Sequence, residues 1–188
     1  MSERLSRRAF LALNWKSAVG FLGNAIIPQV EDERDFFRPP GAGSELEFIS
    51  SCTRCGLCKD ACPEQTISLF SAASGAKLAM TPYLDPNDLP CTFCGKCVDV
   101  CADGALSEEN FSFGPKLGTA SVIEENCLAY KEVMCDSCYR ACPKKGSAIR
   151  ILAGKPAIAE EDCNGCGLCV QGCIAEYKGM IVNPFVAD

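Results

Sequence analysis

The stretch Cys52–Pro63, "CTRCGLCKDACP", sets four cysteines at gaps of two, two and three residues and follows the last with proline. The rhythm returns as "CTFCGKCVDVC" from Cys91 to Cys101 and as "CNGCGLCVQGC" from Cys163 to Cys173. A stretched copy, "CLAYKEVMCDSCYRAC", runs from Cys127 to Cys142. Four blocks of four use all 16 cysteines of the 188-residue chain.

Disulfides suit short secreted chains, but cysteines this close in sequence converge on one centre more readily than they pair into loop-closing bridges. Zinc takes two C-x-x-C pairs or a mixture of cysteine and histidine. The chain has no histidine, and each block carries a third and fourth cysteine that a zinc ribbon does not use. The spacing is instead that of the C-x2-C-x2-C-x3-C-P run of iron–sulfur proteins. Three thiolates on one tight loop reach three corners of a cubane, with backbone N–H groups turned toward the sulfurs. The fourth cysteine, on a helix that follows, reaches a neighbouring cluster. Proline after it suits a helix start, where a missing N–H costs nothing. The expected ligands are therefore Cys52, Cys55, Cys58, Cys62, Cys91, Cys94, Cys97, Cys101, Cys127, Cys135, Cys138, Cys142, Cys163, Cys166, Cys169 and Cys173, serving four [4Fe–4S] clusters.

An aromatic share of 8% is thin material for a large core, so metal centres are expected to hold much of the chain together. Residues 1–45 read as an N-terminal segment and linker, the latter marked by "EDERD" and "RPPGAG". Residues 46–188 form the fourfold repeat. Spacers between blocks shorten from 28 residues (63–90) to 25 (102–126) to 20 (143–162). Each reads as strand, turn, strand, most clearly where Ala148–Leu152 and Ala157–Ala159 flank an A-G-K-P turn. "TISLF" and "TPYLDP" are weaker strands of the first spacer, and one or two helical turns are expected after each fourth cysteine. The fold class is α+β: two bacterial-ferredoxin-type modules of short helices and β-hairpins around the clusters. The spacing leaves cluster pairing open, because serial pairing of neighbouring blocks and nested pairing both satisfy it. The short third spacer suits an ordinary hairpin and so favours serial.

The blocks, with "CLAYKEVMCDSCYRACP" as the third, resemble the NapF-type ferredoxins of the periplasmic nitrate reductase system. "LSRRAFLALNWK" is similar to the start of that family, while "FRPPGAG", "SGAKLAMTPYLDPNDLPC" and "CYRACPKKGSAI" are similar to the related NapG and MauM proteins. Ala102 and Ile174 depart by replacing the proline that follows the other fourth cysteines. The second block lacks the enlarged spacing of the NapG branch, which pulls the match toward NapF. The resemblance implies the class that includes β subunits of dimethyl sulfoxide reductase-type enzymes, and with it nested pairing, the expectation carried forward. Cys173 would then join Cys52, Cys55 and Cys58, and Cys62 would join Cys163, Cys166 and Cys169. Cys142 would join Cys91, Cys94 and Cys97, and Cys101 would join Cys127, Cys135 and Cys138.

Without histidine, general acid–base catalysis in its usual form is not expected. Glu124–Glu125 and Glu160–Glu161 read as solvated loops, and "SGAKL" and "GPKLG" lack a P-loop or dinucleotide pattern. A net charge of −6 argues against a nucleic-acid partner, and steering favours a basic patch on a redox partner. The chain is expected to be an electron carrier and not an enzyme. By resemblance it serves a molybdenum-containing reductase, as electron donor or maturation partner, or takes electrons from a membrane quinol-oxidising subunit. A docking or chaperone-like protein with structural clusters is the reading from another class.

"SRRAFL" at Ser6–Leu11 looks like a twin-arginine export signal. Asn14 and Lys16 interrupt the apolar stretch and no A-x-A site follows, so cytoplasmic retention is expected and periplasmic export is the alternative. No run reaches the ~18 apolar residues of a spanning helix. Eight residue steps from Cys127 to Cys135 span roughly 26–29 Å when extended, so Leu128–Met134 must loop outward, either covering its own cluster or docking a partner.

Overall fold

The structure, a computed structural model, describes residues 35–112 and 114–184, so the arginine pair and the segment behind it lie outside the described residues. Helix α1 (Glu45–Ser51) opens the described fold, its first turn capped by the Ser44 hydroxyl, which accepts from the Glu47 N–H at 3.3 Å. Acidic Glu45 and Glu47 sit in that turn, where the helix dipole favours negative charge. The other helices are single turns: α2 (Leu57–Asp60), α3 (Gly75–Leu78), α4 (Lys96–Asp99), α5 (Glu108–Ser112), α6 (Ser137–Ala141) and α7 (Leu168–Gln171). Isolated helices so short are unstable in water; α2, α4, α6 and α7 each carry a block cysteine and persist by packing around the cysteine sites.

Three two-stranded antiparallel sheets frame the sites. Strands β1 (Ile67–Leu69) and β2 (Pro82–Leu84) pair Ile67 with Leu84, and "AASGAKLAM" bulges out between them. Strands β4 (Ile149–Leu152) and β5 (Lys155–Ile158) close through Ala153 and Gly154, at φ 49° and 81°. Two successive left-handed residues make the type I′ turn that matches strand twist. The third sheet departs from the sequence reading. Strand β3 (Gly118–Val122) has no partner in its own spacer and pairs with β6 (Met180–Pro184) at the far end of the chain, Val122 opposite Met180. The second spacer therefore holds α5 and one strand, not a hairpin.

Helical turns also fall elsewhere than expected. Within the blocks each contains the third cysteine (α2, α4, α6 and α7), and the stretches just after Cys62, Cys101, Cys142 and Cys173 hold turns or bends. Pro63 and Pro143 occupy the second position of turns closed by Gln65 N–H to Cys62 C=O and Lys145 N–H to Cys142 C=O, a position that suits the fixed φ of proline. Ala102 holds the same position in the turn closed by Gly104 N–H to Cys101 C=O. Proline there is a turn residue, not a helix start.

The stretch read as a linker is part of the fold. Phe37 bridges to Leu84 and Ala42 to Leu106, and Phe37, Arg38 and Glu45 are buried. The Arg38 guanidinium donates to both Glu45 oxygens (3.0 and 2.6 Å), to Thr81 Oγ1 at 3.0 Å and to the Pro82 carbonyl at 2.6 Å. Its carbon lies 4.6 Å from the Phe36 and Phe48 ring centres. Buried charge is tolerated only when paired and hydrogen-bonded, and Arg38 is both.

Candidate cysteine sites

Regular blocks build their loops from left-handed backbone. Arg54 and Gly56 have φ 62° and 80°, Phe93 and Gly95 53° and 79°, Gly165 and Gly167 73° and 83°. Alternating right- and left-handed residues turn successive N–H groups into one concavity, which attracts anionic sulfur. The stretched block lacks this device. Asp136 stands where the others have glycine and has φ −133°, and Glu132 takes the left-handed position, at φ 62°.

The cysteines gather into four sets. Cys52, Cys55, Cys58 and Cys101 line one recess, site A. Cys62, Cys91, Cys94 and Cys97 line a second, site B. Cys142, Cys163, Cys166 and Cys169 line a third, site C. Cys127 and Cys135 surround Cys138. Cys173 joins them across Gly179, whose N–H donates to Cys173 Sγ at 3.3 Å and where an added Cβ would lie 2.8 Å from Cys127 Cα; this is site D.

Nested pairing is thereby overturned. Cys62 faces Cys91 and not Cys163, and Cys101 faces Cys58 and not Cys127. The physical reason is chain length: the hairpins β1–β2 and β4–β5 return the chain beside the block it has just left, so each fourth cysteine meets the adjacent block. Serial pairing, favoured by the short spacer, is the arrangement observed.

The sets lie in one row. Cys97 of site B is next to Cys58 of site A, Cys91 is next to Cys166 of site C, and Cys169 is next to Cys138 of site D. The Cys91 N–H donates to the Cys166 carbonyl at 2.8 Å, and Gly167 backs onto the Pro86 carbonyl. The row is A–B–C–D.

Every site aims N–H groups at sulfur. Leu106 donates to Cys101 Sγ at 3.3 Å and Ala120 to Cys163 Sγ at 3.4 Å, while Phe93 serves Cys91 and Tyr139 serves Cys138. Burial, with neighbouring cysteines adding to it, pushes the Cys97 and Cys169 thiols up to about 12. The same causes push Cys58, Cys91 and Cys138 up to about 11, against the N–H bonds that lower them. Four thiolates cannot share such a recess unless positive charge sits among them, which is what iron supplies. A single zinc ion draws its thiolates to about 2.3 Å. Among the described residues no three His, Cys, Asp or Glu side chains converge that way. Soft all-sulfur donor sets with N–H donors around them fit an iron–sulfur cluster, whose potential those bonds tune.

The stretched loop divides in two. Leu128–Lys131 form a 3-10 turn against β5, with Lys155 Nζ 4.4 Å from the Tyr130 ring centre. Val133 and Met134 are exposed, Met134 fully. Glu124, Glu125, Glu160 and Glu161 are exposed as expected. Sequence reading missed Arg38 and the β3–β6 pairing; only the alternation of buried Met180 and Val182 hinted at the latter.

Residues 51–105 and 121–174 each match a 4Fe–4S dicluster domain. The fold and the cysteine sets thus define a ferredoxin-type protein with two dicluster domains. The chain is 40% identical over 162 residues to the ferredoxin-type protein NapG of Escherichia coli (strain K12), covering 78% of this chain and 70% of that one. It is 36% identical over 159 residues, with the same coverage, to the methylamine utilization ferredoxin-type protein MauM of Paracoccus denitrificans (strain Pd 1222). Against the ferredoxin-type protein NapF of Escherichia coli (strain K12) it is 30% identical over 171 residues, covering 89% of each. The chain belongs to the NapF/NapG/MauM group of ferredoxin-type proteins. Within it, these NapG and MauM relatives are more similar than this NapF, the reverse of the pull from block spacing.

Proposed function

We propose that the chain is a one-electron relay carrying four [4Fe–4S] clusters, one in each of sites A to D. The observation that supports this reading is the row of four all-cysteine sets, each joined to the next through neighbouring cysteines. Bound clusters exchange single electrons at potentials set by hydrogen bonds to sulfur and by solvent exposure. The protein's part is to hold each set by three loop cysteines and one from the adjacent block, to donate N–H bonds to sulfur, and to shield part of each set from water. Cys97, Cys166 and Cys169 of the inner sites are buried, as are Cys127 and Cys138 of site D, whereas Cys55 of site A and Cys94 of site B are exposed. The likeness to ferredoxin-type relatives supports reading the chain as a carrier and not an enzyme.

The partner is a redox protein. A NapF-like role would place the carrier in the cytoplasm beside a molybdenum reductase, which remains the reading of the interrupted N-terminal segment. The higher identity to NapG and MauM favours a second reading, an exported carrier fed by a quinol-oxidising membrane partner. In that reading the partner supplies the membrane part; among the described residues no helix is long and apolar enough to cross a membrane.

Anaerobically prepared protein is expected to contain about 16 iron and about 16 sulfide per chain and to show a reversible EPR signal on reduction. Half that content overturns the four-cluster reading; full content without reversible reduction supports structural clusters in a docking protein. Cell fractionation with N-terminal sequencing separates the two placements: a periplasmic product shortened past Arg8 overturns cytoplasmic retention.

A further inference from the structure

We propose that the rim of site D, around Cys135, is the docking face for an acidic redox partner. The inference rests on the relay reading, and it names which end of the row is built for a charged protein surface and of which sign.

Charge is unevenly distributed along the chain. Residues 131–155 carry six Lys and Arg against two Asp and Glu, while the whole chain carries 18 against 24, leaving 12 against 22 elsewhere. All six cations, Lys131, Arg140, Lys144, Lys145, Arg150 and Lys155, are exposed. They fall on the 3-10 turn of the stretched loop, α6, the turn that follows it, β4 and β5, and these pack in pairs, β4 against α6 and β5 against the 3-10 turn. An open groove on this face is lined by Met134, Cys135, Tyr139, Arg140 and Arg150. It therefore reaches a cysteine of the terminal site directly, between two guanidinium groups. Arg140 pairs with Asp136 at 2.9 Å and Arg150 donates to the Gly146 carbonyl at 2.9 Å, and both side chains line the groove while remaining exposed.

The apolar element is in place as well. Met134 is fully exposed and Val133 and Leu152 are half-exposed or more. A flexible thioether suits adaptable packing, and an apolar centre with a charged rim is the anatomy of a transient interface. At the other end of the row, site A has no such bias. Arg54 and Lys59 alternate there with Asp60 and Asp103, and Asp103 is already engaged by Thr53. A net-acidic protein thus presents a cationic face at one terminus. That face selects an acidic partner by charge complementarity, which acts mainly on the rate of encounter. The whole-chain charge had suggested a basic partner; the local charge reverses the sign.

A flavodoxin, a small acidic one-electron protein, serves as the probe. One electron passes from its flavin hydroquinone to the oxidised holoprotein, leaving a semiquinone and a reduced cluster, with no bond made or broken. Stopped-flow rates at low ionic strength are compared for the parent, Arg140→Glu/Arg150→Glu, Lys145→Glu, and the control Lys59→Glu/Lys96→Glu at the A and B sites. Iron content and the dithionite-reduced EPR signal are measured for each. The expected result is at least a tenfold fall in rate for the arginine pair, a smaller fall for Lys145→Glu and little change for the control, all with intact clusters. High salt should erase these differences. Equal falls in the arginine pair and the control, or no fall in either, overturn the docking face. An absent reversible EPR signal in the parent would instead sink the relay reading on which it rests.

Discussion

The two halves of the molecule solve the same problem with different materials. Residues 35–112 hold sites A and B around a buried guanidinium, with Arg38 tying α1, Thr81 and Pro82 together under three aromatic rings. Residues 114–184 hold sites C and D with close-packed backbone. An added Cβ at Gly165 would lie 2.5 Å from the Gly118 nitrogen, and one at Gly179 would lie 2.8 Å from Cys127 Cα. At the equivalent loop position Gly56 and Gly95 meet only side chains, at 3.5 Å, whereas Gly167 meets the Pro86 backbone. Cysteine spacing therefore dictates what the sites are, and the residues between the blocks decide how each pair is braced.

The largest expected effect is one the halves share. The raised thiols of sites A, B, C and D keep their protons through the neutral range, so losing iron takes up protons and acid promotes the loss. Iron release to a chelator is expected to be faster at pH 6 than at pH 8, with both halves unfolding. Release that slows at lower pH would contradict the electrostatic account.

The next test separates the halves. Arg38→Met leaves the Glu45 carboxylate buried without its guanidinium, a loss of about 3–5 kcal/mol. Denaturant unfolding should show the first half melting earlier, with iron lost from A and B while C and D persist. The double variant Arg38→Met/Glu45→Leu is expected to recover much of that loss. Uniform destabilisation of both halves would show that they do not differ in bracing.

A smaller effect tests the glycines. Gly167→Ala combines left-handed strain of about 1 kcal/mol with overpacking of about 1–3 kcal/mol. Gly56→Ala should cost only the first part. Equal thermal shifts would remove the backbone-contact explanation. The smallest effect is expected at Arg54, a non-glycine at φ 62°. There Arg54→Gly relieves strain but loosens the unfolded chain, so the net change should stay within about 1 kcal/mol.

Much of this was legible in the sequence. The sixteen cysteines, their division into blocks, the β4–β5 hairpin and the outward loop after Cys127 follow from local spacing. What was not legible depends on contacts between distant residues. Nothing near "GTASV" announces that its partner is "MIVNP" at the end of the chain. The "FRPPGAG" stretch has the composition of a linker, and only the positions of Phe36, Phe48 and Phe70 around Arg38 make it core. Resemblance implies nested pairing, whereas the short third spacer, whose hairpin returns the chain locally, carries the serial pairing observed. The charge of the chain as a whole likewise hid the sign of one face.

Serial pairing also orders the protein's biosynthesis. Every cysteine of sites A and B has been made by residue 101, and Leu106, which donates to Cys101, follows five residues later. The first half can therefore accept its inorganic cargo while the ribosome is still adding the second. Site D waits for Cys173 and Gly179, and its sheet for β6, so it is the last to close. Translation thus delivers complete ligand sets in two instalments, and a chain truncated after the first would still hold a finished pair of sites.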